Sequence, residues 1–234
     1  DLGKLTFDQG VGVGGLSTID SKTPSAYEEV FDSLDAVTGD SNGLVGMSNS
    51  GVFVYDNTIM GNSVSVQYGK GAGTNNADGA ASGTAASGSS YDFAVTNSSL
   101  ADGLTVGAGY GKIANAGPGT DGQSDNEHYT AFVTYTASGV TVGYQESRDN
   151  LQRNAVGATN SFYENTAYGI SFSVNDDLSL SYGMHKSENN LNSGASVELE
   201  AESLQLAYTM GGMSVKIAES TVDNGSYTSG TSKD

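Results

Sequence analysis

The chain has 234 residues, with 27 acidic against 9 basic side chains for a formal net charge of −18, 36% hydrophobic residues, 33 glycines and two prolines. A chain this acidic lacks the basic footprint that a phosphate backbone demands, which argues against a nucleic-acid partner. It has no cysteine, hence no disulfide, thiolate metal site or thiol nucleophile, and no apolar run nears the ~18–20 residues of a transmembrane helix.

The N-terminal Asp1-Leu2-Gly3-Lys4 leads straight into an alternating segment with no secretory pattern, so any targeting peptide is expected to be removed or absent from the sequence. From there, short runs alternate apolar and polar residues with period two, the mark of strands with two different faces. Their apolar sides are Leu5/Phe7, Phe53/Tyr55 within Val52–Thr58, Val64/Val66/Tyr68, Tyr91/Phe93/Val95, Leu104/Val106/Ala108/Tyr110 and Tyr129/Ala131/Val133/Tyr135. The series continues with Val140/Val142/Tyr144, Tyr168/Ile170/Phe172/Val174, Leu178/Leu180/Tyr182/Met184, Leu204/Leu206/Tyr208 and Met213/Val215/Ile217. Eleven strands are therefore predicted. Short turns at Met60–Asn62, Ser99–Gly103, Ala137–Gly139, Asn175–Asp177 and Met210–Gly212 alternate with long polar connections at 16–49, 72–88, 115–127, 147–163, 187–197 and 222 onward.

The opposite faces carry Ser, Thr, Gly, Ala and Gln, as in Thr105/Gly107/Gly109/Gly111 and Thr141/Gly143/Gln145, with few of the Lys and Glu of a solvated exterior. Small polar residues on one face, apolar and aromatic residues on the other, and alternating short and long connections describe a transmembrane antiparallel up-and-down β-barrel. Such a barrel pairs every backbone group within hydrocarbon. Its strands need about 9–11 residues, which most segments reach with their flanks. Tyr68, Tyr110, Tyr135, Tyr144, Tyr182 and Tyr208 recur near strand ends and suit the membrane interface. The competing fold is a secreted all-β protein.

The first long connection is unlike the rest. Pro24–Val37 has the strongest helical pattern in the chain, with a capping box at Ser25 and Glu28, an apolar face of Ala26, Val30, Leu34 and Val37, and an acidic side of Glu28, Glu29, Asp32 and Asp35. A half-apolar helix in so long a loop needs a surface to pack on. The inner wall of its own barrel would supply one.

The order of strand, long folded loop, Gly51-Val52-Phe53-Val54-Tyr55-Asp56-Asn57, turn, then Ser63-Val64-Ser65-Val66-Gln67-Tyr68-Gly69 resembles the general porins of Gram-negative bacteria. The aromatic–Asp–Asn segment before a strand ending Gln-Tyr-Gly is the most specific piece, and the hairpin repeat extends the likeness along nearly the whole chain. The resemblance implies a sixteen-stranded trimeric outer-membrane barrel with short periplasmic turns and long extracellular loops. It would make 16–49 the inward-folded constriction loop and Gly3–Val11 the fifth strand. About four N-terminal strands and the final aromatic strand would then lie outside this single barrel domain of residues 1–234. Even strand counts in single-chain bacterial barrels point the same way.

That family lets small hydrophilic solutes and ions diffuse passively, with no enzymatic chemistry, and its partners are outer-membrane lipid, lipopolysaccharide and two further copies of the chain. Selectivity would follow from pore radius and wall charge. Glu28, Glu29, Asp32 and Asp35 are the candidate constriction residues, joined by strand parity with Asp8, Asp56 and Asp92 and the basic Lys4 and Lys216. Family members usually oppose the acidic loop with wall arginines, whereas Arg148 and Arg153 fall in a long loop here. Unopposed carboxylates predict a preference for cations. The plainer alternative is that they form the wet face of an amphipathic helix.

Other signals are weaker. Gly10-x-Gly12-x-x-Gly15 has no βαβ context and is expected to be a barrel rim. Asp40–Gly43 and Asp121–Glu127 could hold Ca²⁺ through oxygen ligands but lack EF-hand spacing, so no cofactor is expected. His128 and His185 near strand ends could serve a barrel-borne hydrolase, and Lys70, Lys112 and Lys186 could meet lipid phosphates. The alternative to a porin is a secreted or cell-surface adhesin or surface-layer protein.

Overall fold

The computed structural model of the chain describes residues 2–9, 14–30, 51–71, 87–115, 125–150, 160–191 and 194–232. Among these, eleven strands form: β1 (Lys4–Asp8), β2 (Val52–Ile59), β3 (Asn62–Gly69), β4 (Ser87–Asn97), β5 (Leu104–Asn115) and β6 (Asn126–Ala137). They are followed by β7 (Val140–Asn150), β8 (Asn160–Ser173), β9 (Leu178–Leu191), β10 (Val197–Met210) and β11 (Met213–Asp223). All belong to one sheet in which each strand lies antiparallel beside its sequence neighbours, from β1 to β11 in order.

The tight ends follow from local chemistry. Met60-Gly61 and Ser138-Gly139 both have positive φ at each residue, the mirror-image turn whose twist matches the flanking strands. Between β8 and β9, the Asn175 side-chain oxygen accepts hydrogen bonds from the backbone N–H groups of Asp177 and Leu178, each at 2.9 Å.

Burial on the two faces is inverted relative to a water-soluble protein. One face buries Ser65, Gln67, Asp92, Thr130, Gln145, Ser181, Ser187, Ser203 and Gln205, while the other exposes Phe7, Phe53, Tyr91, Phe93, Val133, Ile170, Phe172, Leu204 and Ile217. Buried polar and exposed large apolar residues are the informative exceptions to ordinary burial, and here they fill whole faces. An apolar exterior with a polar interior needs hydrocarbon outside.

What covers the polar face is the described part of the first long connection, residues 14–30. Two apolar clusters lie between this strap and the wall: Leu16, Ile19, Ala94 and Phe132 at one end, and Val30, Leu199, Ala201 and Val222 with Tyr227 at the other. The strap therefore runs across the strands rather than along them.

Three expectations are corrected. First, the helix predicted over 24–37 does not form over 24–30, and residues 31–37 lie outside the described residues. The strap's helical segment is a 3₁₀ turn at Gly15–Ile19. Second, Gly15 is not rim but buried, at φ +54, beneath the wall; Gly10 and Gly12 are outside the described residues. Third, the strands run further at the long-connection ends than the alternation suggested. Arg148 stands in β7, while Glu164 in β8, Glu188 in β9 and Glu198, Glu200 and Glu202 in β10 keep outward parity. Backbone pairing continues past the point where the apolar stripe stops, so part of the acidity assigned to loops lies on strands.

Candidate functional site

The strap is fixed by wall side chains that bond its backbone. Gly15 N–H donates to Ser65 Oγ (2.9 Å), whose hydroxyl donates to Asp56 Oδ1 (2.7 Å). Leu16 N–H donates to Asp92 Oδ1 (2.7 Å), and Gln67 Nε2 approaches the other Asp92 oxygen at 3.4 Å. Further on, Lys22 N–H donates to Gln145 Oε1 (2.8 Å), and Gln145 Nε2 donates to the carbonyls of Ile19 (2.8 Å) and Asp20 (3.1 Å). Ala26 N–H donates to Ser181 Oγ (2.8 Å), and Gln205 Nε2 to Glu28 O (3.1 Å). These bonds explain the missing helical turn. Backbone groups that a helix would satisfy internally are satisfied by the wall, as a buried backbone requires.

Glycines make room for the strap. Gly143, Gly169 and Gly183 lie side by side in register on β7, β8 and β9. A Cβ at these positions would stand 2.5 Å from Pro24 Cδ, 2.7 Å from Pro24 O and 2.5 Å from Val30 Cγ2 respectively. At Gly109 it would stand 2.5 Å from Leu16 Cδ2. Their backbone torsions are ordinary, so the constraint is space. Together they form a trough in which Pro24 and Val30 seat.

Between the strap and β1–β6 lies a cavity of ≈ 780 Å³. Its lining includes Lys4, Lys22 and Asp56, the hydroxyls of Thr18, Thr58, Ser63, Ser65, Thr96, Thr105 and Thr134, and the apolar Ala94 and Phe132. Lys22 is a site residue that sequence parity alone missed, because it lies on the strap and not on a strand.

The sequence-predicted residues fall as follows. Lys4 and Asp56 line the cavity, opposite one another on β1 and β2. Asp8 is half-buried on the same face. Asp92 has the expected parity but, at 1% exposure, lies under the strap and cannot line an open passage; it is an anchor. Glu28 and Glu29 are half-buried at the far end of the strap. There, burial and the Glu28 carboxylate beside it push the Tyr27 phenol above its ordinary range, and Lys216 Nζ stands 5.2 Å over the Tyr27 ring. Asp32 and Asp35 are outside the described residues. The described carboxylates are hydrogen-bonded by neutral donors, Asp56 by the Ser65 hydroxyl and Asp92 by Leu16 N–H, which fixes their positions and leaves their charge in place; Glu28 stands beside the Tyr27 phenol, and Asp8 and Glu29 have further partners.

The six interface tyrosines all keep the outward parity, with Tyr68, Tyr135, Tyr144 and Tyr182 exposed and Tyr110 and Tyr208 half-buried. Several tyrosine hydroxyls meet outward carboxylates. Tyr110 and Tyr129 donate to the two Glu127 oxygens at 2.9 and 2.8 Å, and Tyr144 donates to Glu146. Basic residues at this level are paired: Lys112 with Asp125 (2.7 Å), Arg148 with Glu164 (3.2 Å), and Lys186 with Glu198 (3.7 Å) and Glu200. The lipid-phosphate role considered for Lys112 and Lys186 meets ammonium groups already neutralised. Lys70 is exposed. Of the candidate Ca²⁺ segments, Asp40–Gly43 and 121–124 lie outside the described residues, and Asp125 and Glu127 are committed to Lys112 and the tyrosines. No cluster of metal-ligating side chains occurs among the described residues. Both histidines point inward, His128 near the start of β6 as expected and His185 in the middle of β9. His128 Nε2 lies 3.3 Å from Asp149 Oδ1 with its side chain 8% exposed, and His185 is buried.

No protein-family model matches the chain, and no curated protein sequence matches it. Solved structures do. OmpT folded in vitro, an outer membrane protein of Vibrio cholerae, superposes with a TM-score of 0.65 at 16% identity, over 94% of this chain and 66% of that one. The loop L8 deletion mutant of OmpT gives 0.65 at 15% identity, over 95% and 71%. A trimer form of OmpT gives 0.64 at 14% identity, over 95% and 66%. The chain thus spans about two thirds of the length of the structures it matches. At these identities the likeness is one of fold: the sheet has the fold of outer-membrane β-barrel proteins, and its apolar outer face is built for a bilayer.

Proposed function

We propose that this chain forms the wall and inward loop of a porin, a water-filled channel through the bacterial outer membrane for passive diffusion of small hydrophilic solutes and ions. The observation that carries the reading is the strap lying across a polar inner face and bounding a hydroxyl-lined cavity, while the opposite face presents apolar and aromatic side chains. A passage of this kind performs no bond chemistry and selects by radius and wall charge.

Among the described residues β1 and β11 each pair on one side only, and unpaired backbone groups in hydrocarbon cost several kcal/mol each, which supports closure of the sheet into a barrel. The sixteen-stranded trimer, with short turns in the periplasm and long connections outside among lipopolysaccharide, follows the resemblance to general porins. A net charge of −18 favours cations in the long-range field of the pore. Purified protein in planar bilayers should give stepwise conductance, and its gel mobility should change on heating. Reversal potentials under a salt gradient read the ion preference. A protein soluble without detergent and inert in bilayers would refute the channel and favour the surface-layer or adhesin reading.

A further inference from the structure

Among the described residues, two lysines and one aspartate line the cavity. Lys4 and Lys22 line it together, and neither has an ion-pair partner among the described residues. Lys22 is held at the wall through its backbone, where Gln145 accepts its N–H at 2.8 Å, so its side chain starts from a fixed point. Asp56, the one carboxylate of the lining among the described residues, keeps its charge while it accepts the Ser65 hydroxyl, and Ser65 in turn accepts Gly15 N–H. Around these charges stand the hydroxyls of Thr58, Ser63, Thr96, Thr105 and Thr134, each able to donate and accept, and that of Thr18, which donates to Gly15 O at 2.7 Å and can still accept. At ≈ 780 Å³ the cavity is in the size range of small-molecule sites.

Resting on the channel reading, we infer that this cavity is a binding stop for a polyhydroxylated anion of monosaccharide size, with Lys4 and Lys22 meeting its carboxylate or phosphate and the threonine and serine hydroxyls meeting its hydroxyl groups. Two ammonium groups against one carboxylate leave the described lining with a net positive charge, which attracts anions. The hydroxyls give a polyol an advantage over chloride. The stop is local and coexists with an acidic molecule whose distant field favours cations. A lysine ammonium suits this task because it is a compact charge that rotates to follow a passing ligand.

The test uses gluconate as the probe, with uncharged sorbitol as its control, on single channels of the whole protein in a bilayer at 0.1 M salt. Gluconate should interrupt the current at concentrations where sorbitol does not. A unit-charge contact at ~4 Å in water changes binding about fivefold, so Lys4→Gln with Lys22→Gln should raise the half-blocking concentration roughly twenty- to thirtyfold. Lys4→Arg with Lys22→Arg, which keeps both charges, should preserve the block, and Asp56→Asn should strengthen it. Equal block by sorbitol, or gluconate block indifferent to the paired glutamine substitution while conductance persists, overturns the anion stop and leaves the channel standing. Absence of any conductance refutes the channel itself and the stop with it.

Discussion

Replacing Asp92 with alanine should free the start of the strap without unfolding the sheet. The carboxylate is 1% exposed and accepts Leu16 N–H at 2.7 Å, so truncation leaves a buried N–H with no acceptor. Hydrogen bonds to charged groups contribute ~1.5–3 kcal/mol, and an orphaned buried donor costs a similar amount. At about 1.4 kcal/mol per decade, that is roughly a 10- to 150-fold shift toward the unseated state of the 14–19 segment. Gln145, Ser181 and Gln205 still hold the strap beyond residue 19, so the opening is local. Amide hydrogen exchange in detergent or bilayer reads it directly. Exchange at Leu16 should accelerate by that factor while β8–β11 amides keep their protection. Asp92→Asn, which retains an acceptor oxygen but no charge, should give a smaller effect. Unchanged exchange at Leu16 in a folded Asp92→Ala protein would refute the anchor, as would collapse of the whole sheet.

Gly169→Val places a Cβ 2.7 Å from the Pro24 carbonyl, a backbone atom that cannot move aside cheaply; overpacking of this kind costs ~1–3 kcal/mol and should lift the strap, seen as a larger and noisier conductance. Because the chain contains no cysteine, Val30→Cys with Gly183→Cys makes a clean cross-link test. Val30 Cγ2 is 2.5 Å from a Cβ at 183, so a disulfide should form on mild oxidation, and failure to form would place the strap elsewhere. Ile170→Arg puts a charge on the apolar outer face of β8, which costs up to about 2–4 kcal/mol toward lipid but little toward water; unchanged stability in bilayers would remove the membrane-facing assignment.

Period-two alternation was enough to locate all eleven strands and to decide which face Tyr68, Ile170 or Gln145 presents, because in a two-faced strand parity is the whole signal. The strap was less legible. Ser25, Glu28 and the spacing of Ala26 and Val30 are honest helix signals, but the partners that override them, Ser181 and Gln205, lie more than 150 residues away. Gly143, Gly169 and Gly183 were visibly on the polar face, yet only the register that aligns them turns three small residues into a trough. Asp92 shows the limit of parity: it tells inside from outside, and not whether the inside is covered. Arg148 and Glu188 were read as loop because charge on an apolar face breaks the alternation, although backbone pairing carries β7 to Asn150 and β9 to Leu191.

The strap's anchors also keep the order of the strands they cross. Gly15, Leu16, Lys22, Ala26 and Glu28 find their partners at Ser65, Asp92, Gln145, Ser181 and Gln205, so both lists ascend together. Each successive anchoring strand thus supplies the acceptor or donor for the next stretch of strap. Loop-closure entropy grows only slowly with length, so a late, long-range contact costs little more than an early one once the earlier ones are made. A lesion at Ser181 or Gln205 therefore loosens the 26–28 end of the strap while Ser65, Asp92 and Gln145 keep its 15–22 end seated.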